Sequence, residues 1–123
     1  MLFRSEQWTD LMTGISAGAR LSYLAYQGDS STILVLSYTA KTSAYVVQQT
    51  DFVVDCTANT FTVTLPTAAG ITGKQFCVKN SGTGVVTVDA FGSETIDGAL
   101  TFILSTQGES IWVVSDGVNW KVI

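Results

Sequence analysis

Residues 60–79 leave the chain few choices of fold. Phe61, Val63 and Leu65 alternate with Thr60, Thr62 and Thr64. Consecutive side chains of a strand point to opposite faces, so this period of two describes a β-strand with one apolar side. Pro66, the single proline of the chain, has no N–H to give to a ladder, and the strand ends there. Gly70 and Gly73 supply the turn back, and Phe76 and Val78 resume the alternation. A glycine-rich loop can also cradle phosphate. Gly70-Ile71-Thr72-Gly73-Lys74 lacks both the spacing and the following helical pattern that such a loop needs, and it reads as a structural turn.

The same punctuation continues to the last residue, with turn signals at the intervals expected of sandwiches and barrels. Strands are predicted over 44–48, 51–56, 60–65, 74–79, 84–89, 99–104, 109–115 and 119–122. The expected fold is all-β: an antiparallel β-sandwich or barrel-like domain over residues 41–123. Its apolar face collects Phe52, Val54, Val63, Phe76, Val78, Val88, Leu100, Phe102, Ile111, Val113 and Trp120, among others. Residues 1–40 read as an N-terminal arm with one strand. In it Trp8, Leu11, Met12, Ile15 and Ala19 recur at helical spacing behind a Ser5 cap. Gly14 and Gly18 each cost about 1 kcal/mol in a helix interior, so the arm is either a short helix or an extended segment that orders against a partner. The strand is predicted over 32–38, where an unbroken apolar run points to burial on both faces.

Of the 123 residues only 13% are charged and 46% are hydrophobic, against about 25% charged in ordinary soluble domains. The face opposite the core carries Val53, Val85, Ile103, Trp112 and Val114 among its threonines, more apolar surface than a monomer exposes as one patch. These five residues are therefore the expected inter-subunit face. The longest apolar run is far short of the roughly 20 residues of a membrane span. The first residues turn polar too soon for a secretory signal, so synthesis in the cytoplasm is expected. A net charge of −4 with six scattered basic residues argues against nucleic acid as a partner.

Histidine is absent, which removes the commonest general base and the commonest transition-metal ligand together. Cys56 shares a face with Phe52 and Val54, whereas Cys77 lies opposite Phe76 and Val78. Both are expected as free thiols. Asp89, Glu94, Asp97, Glu109 and Asp116 sit mostly at turns, where carboxylates cap local backbone amides rather than cut glycosides. Asp97 and Asp116 would suit a hard cation, but without any calcium-loop spacing. The expectation is a protein with no catalytic residues, metal or cofactor.

Leu65-Pro66, Lys79-Asn80-Ser81-Gly82, Gly92-Ser93-Glu94-Thr95-Ile96-Asp97-Gly98 and Ser115-Asp116-Gly117-Val118-Asn119-Trp120 follow one another in order. In this, residues 45–123 resemble a small β domain that recurs in bacteriophage fibre, tail and capsid-surface proteins. Cys77 departs from the pattern where a threonine or aliphatic residue is expected. The resemblance implies a virion structural protein built as a homotrimer. Phe3, Trp8, Leu11, Met12 and Ile15 would attach it to other virion proteins such as the major capsid protein. Residues 1–40 leave no room for a fibre shaft, which favours a capsid decoration or cement protein. The alternative is a tail fibre or baseplate appendage that binds a receptor or a host surface glycan.

Overall fold

The computed structural model describes residues 34–123. The expected attachment residues of the arm, Phe3, Trp8, Leu11, Met12 and Ile15, lie outside the described residues. Nine strands are described and no helix: β1 (Tyr38–Lys41), β2 (Tyr45–Val46), β3 (Val53–Cys56), β4 (Phe61–Thr64), β5 (Gln75–Asn80), β6 (Val86–Asp89), β7 (Thr101–Leu104), β8 (Ser110–Ser115) and β9 (Trp120–Val122). The last eight fall within a residue of the predicted spans or inside them. The strand expected over 32–38 is displaced. Residues 34–37 are exposed and outside any strand, and β1 begins only at Tyr38.

The strands form two open sheets, β1-β3-β5-β8-β9 and β2-β4-β6-β7, here called A and B. Up to β6 the chain alternates between them, and successive strands of one sheet run parallel: β1 with β3, β3 with β5, β2 with β4, β4 with β6. Only the later pairings, β5 with β8, β6 with β7 and β8 with β9, are antiparallel. The sheets are therefore mixed, which corrects the expected antiparallel fold, and neither closes into a barrel. Parallel neighbours need a long crossover, and here each crossover is a strand of the other sheet.

Close stacking of successive turns depends on small residues. A Cβ on Gly84 would stand 2.3 Å from the backbone oxygen of Asn59, and one on Gly82 would stand 2.9 Å from the Cα of Ala58. The β5–β6 turn thus lies backbone to backbone on the β3–β4 turn. Asn59 adopts a left-handed φ of 72° and its side-chain amide donates to the Thr42 carbonyl at 2.9 Å.

One core gathers side chains from both sheets. Val54, Phe76, Val78, Ile111, Val113 and Trp120 enter it from A, and Val63, Val86, Val88 and Leu104 from B. The rings of Phe76 and Trp120 are 5.5 Å apart, and the indole N–H of Trp120 donates to the Pro66 carbonyl at 3.1 Å. Asn80, fully buried, donates through its amide to the carbonyls of Gly84 and Leu104 and accepts the N–H of Gly82. The buried Ser115 hydroxyl donates to Ala68 O at 2.6 Å and accepts from Gly117. Among the described residues no buried side-chain polar atom lacks a partner.

Three residues assigned to the core lie elsewhere. Leu100 and Phe102 are exposed because β7 is an edge strand of sheet B, with nothing among the described residues beyond it. Phe52 precedes β3, and its ring packs edge-on against Trp112 at 5.2 Å, on the outside of sheet A.

Candidate assembly surface

Four of the five carboxylates considered for catalysis serve the backbone. Glu94 accepts the Thr67 hydroxyl and the Ala68 N–H, Asp97 the N–H of Val122, and Glu109 the N–H of Thr106. Asp116 accepts from Val118 and Asn119, and these two amides hold its carboxyl below the ordinary range. Each is turn or strand-end chemistry of the expected kind. Among the described residues no group of three acidic or cysteine side chains could hold a metal ion. The loop through Gly70 and Gly73 joins two strands rather than a strand and a helix. Cys56 and Cys77 are unpaired, one in the core and one on the outer side of sheet A. Burial, with Asp55 nearby, pushes the Cys56 thiol up to about 11, and burial likewise raises Cys77.

Two aspartates missed in the sequence tie the first turn to the rest. Asp51 accepts from the hydroxyls of Thr39 and Tyr45 and the N–H of Gln48, at 2.8, 2.6 and 2.8 Å. Asp55 accepts from Tyr38 and Ser81. Burial pushes the Asp51 carboxyl up, but the bonds from Tyr45, Gln48 and Thr39 and the charge of Lys41 outweigh it and leave the carboxyl below its ordinary value of 3.8. The hydrogen bond to Asp51, with burial and the charge of that aspartate, pushes Tyr45 from 10.0 up to about 12.

The signs follow from linkage. A depressed Asp51 contributes stability that is present above its unfolded value and is lost as the pH falls through the folded one. A raised Tyr45 contributes stability that is full below pH 10.0 and is lost as the pH rises to about 12. Denaturant unfolding of wild type and Tyr45→Phe across pH should therefore differ most between these limbs and converge at both ends. A difference that persists undiminished above the tyrosine limb would refute the assignment.

The outer faces carry the apolar residues expected at an interface, but on two sheets. The register places Tyr38, Val53, Cys77 and Trp112 in one row across A, with Ile123 bonded beside Trp112. Val114 is one step along β8, paired with Gln75 and Lys121. Ile103 belongs to sheet B instead, where it pairs with Thr87, and Val85 immediately precedes β6 of that sheet. The structure thus brings Val53, Trp112 and Val114 together and separates them from Val85 and Ile103, because alternate strands enter different sheets. Trp112 is 36% exposed, and Cys77 beside it only 6%.

A further feature was not visible in the sequence. Beyond the parallel ends of β2, β4 and β6, the following connections leave an open groove of about 510 Å³. Val46, Val47, Gln48, Gln49, Thr50, Pro66, Thr67 and Phe91 line it, and none of these side chains is charged. Phe91 is 51% exposed.

Comparison of the chain with protein-family models and with curated proteins finds no match.

Proposed function

We propose that the chain is a non-catalytic structural protein of a bacteriophage virion: a trimeric capsid decoration or cement protein whose two sheets form a β-sandwich. The carrying observation is the pair of uncovered outer faces. Sheets whose outer faces carry large apolar side chains are ordinarily covered there by a partner. Among the described residues these are covered only on the inside, and Tyr38, Trp112, Ile103 and Ile123 stand exposed on the outside. That is the surface of a subunit, and the resemblance of residues 45–123 to phage β domains supplies the setting. Attachment to the major capsid protein falls to Phe3, Trp8, Leu11, Met12 and Ile15, where each large side chain buried against a partner contributes about 1.5–3 kcal/mol. The second reading, a tail fibre or baseplate appendage, is favoured by the groove. Its uncharged lining, with Phe91 beside glutamine and threonine side chains, suits a neutral glycan.

Mass photometry of the purified protein should show trimers, and Trp112→Asp should shift them to monomers while leaving the melt nearly unchanged. The full chain should rebind phage particles assembled without it, and Trp8→Asp combined with Leu11→Asp should abolish that binding. A stable wild-type monomer at micromolar concentration would remove the trimer. Undiminished rebinding by the double variant would remove the anchor.

A further inference from the structure

Among the described residues, the backbone groups at the four sheet edges separate two closed edges from two open ones. At β9, Trp120 donates its N–H to Thr95 and accepts from Asp97, while Val122 donates to the Asp97 carboxylate. Residues 95–97 therefore close that edge. β2 has only two residues, and the carbonyl of Val46 takes the side-chain amide of Gln48.

β1 and β7 are different. Val53 donates to Ser37 and Thr57 to Lys41, so the parallel ladder to β3 runs through alternate residues of β1 and leaves the amides of Tyr38 and Ala40 pointing away. On β7, Ala90 donates to Leu100. The bonded pairs with β6 are then Val88 with Phe102 and Val86 with Leu104, which leaves Thr101 and Ile103 pointing away. Among the described residues nothing outside the strands bonds to these four amides. Natural edges are usually blunted by charge, proline or a cover. β7, Thr-Phe-Ile-Leu, has none of these.

We propose that the two open edges pair between copies: β7 of one chain lies antiparallel beside β1 of the next, joining sheet B of the first to sheet A of the second around a closed ring. The inference rests on the trimeric reading above and adds to the outer-face packing an edge contact without which the ring does not close. Antiparallel strands bond through residues whose groups both point across the gap. That rule sets Ile103 opposite Tyr38 of the next copy and Thr101 opposite its Ala40. The faces then agree. Tyr38 and Ala40 are on the outer side of A, Thr101 and Ile103 on the outer side of B, and Phe102 meets Thr39 on the core side. A parallel arrangement would set outer residues against inner ones.

Ile103 and Tyr38, 48% and 65% exposed, would cover one another as an aromatic and β-branched cross-strand pair. Lys41 is the only charge in either strand, so the contact opposes no like charges. β1 and β7 are edge strands of different sheets, so the contact joins two different surfaces head to tail, the kind that closes rings. Pairing of β7 with itself would leave β1 open.

Ile103→Pro and Ala40→Pro, made in the full chain, each remove an N–H that its own ladder does not use, at positions where an edge strand tolerates proline. Ile103→Lys and Ala40→Lys make the same test should either proline variant fail to fold. Sedimentation velocity should find each variant alone as a folded monomer. An equimolar mixture should form dimers and nothing larger, because one variant retains only the β1 edge and the other only the β7 edge. Assembly retained by Ala40→Pro alone would overturn the proposal in favour of β7 self-pairing. Trimers retained by all the variants would overturn edge pairing altogether. Dimers in the mixture from a wild type that runs as open chains support the edge contact while the trimer reading fails.

Discussion

Trp120→Ala is expected to leave the β domain at or beyond the limit of stability. The indole is fully buried, packs at a tilt against Phe76 and spans from the last strand to the Pro66 carbonyl. Truncating a buried tryptophan costs about 3–5 kcal/mol, and the half-buried Pro66 carbonyl loses its donor as well. Domains of this size have about 5–15 kcal/mol in total. Urea unfolding should show the midpoint lost or moved to low denaturant, with Trp120→Phe intermediate, since it keeps the ring contact and loses the hydrogen bond. Trp112→Ala is the control. That side chain lies on the outer face, so its removal should cost little in the isolated domain. Equal effects of the two alanine variants would contradict the division between core and surface.

Asn80→Ala should rank second. The amide is fully buried and gives both of its protons to carbonyls, Gly84 at 2.8 Å and Leu104 at 3.0 Å, while its oxygen takes the Gly82 N–H. It joins the end of β5 in sheet A to β7 in sheet B. Truncation takes the donor from the Gly84 and Leu104 carbonyls, at about 1–3 kcal/mol for each that stays buried and unpaired, while the Gly82 N–H keeps its bond to the Cys56 carbonyl. Asn80→Asp is the sharper probe. A carboxylate has the same shape but nothing to donate, and two carbonyl oxygens would face its charge. Its folded pKa would rise, so relative to wild type the variant should be least destabilised at low pH and lose stability as the pH rises through that value. Thermal melts across the acid range would show this, and a penalty independent of pH would count against the bonding scheme.

Where the strands are was legible in the residues. Alternation such as Phe61-Thr62-Val63-Thr64, broken by Leu65-Pro66 or Ser115-Asp116-Gly117, is local chemistry, and eight strands appear where it places them. The opposed faces of Cys56 and Cys77 and the turn duty of Glu94, Asp97, Glu109 and Asp116 were readable for the same reason. β1 was misplaced because the apolar run before it has no alternation to mark a boundary. The groove and the Asp51 network could not be found, since each gathers residues from several connections.

By itself, then, the sequence determined the all-β class, the strand positions and which side of each strand is apolar, because a period of two acts within one strand. Only the tertiary structure decided which strands are neighbours. A strand offers the same N–H and C=O groups to a parallel or an antiparallel partner, and nothing in the alternation of Val53-Val54 or Cys77-Val78 says that these strands run side by side in one direction. That choice split Val53 and Trp112 from Val85 and Ile103 and made β1 and β7 edge strands of their sheets.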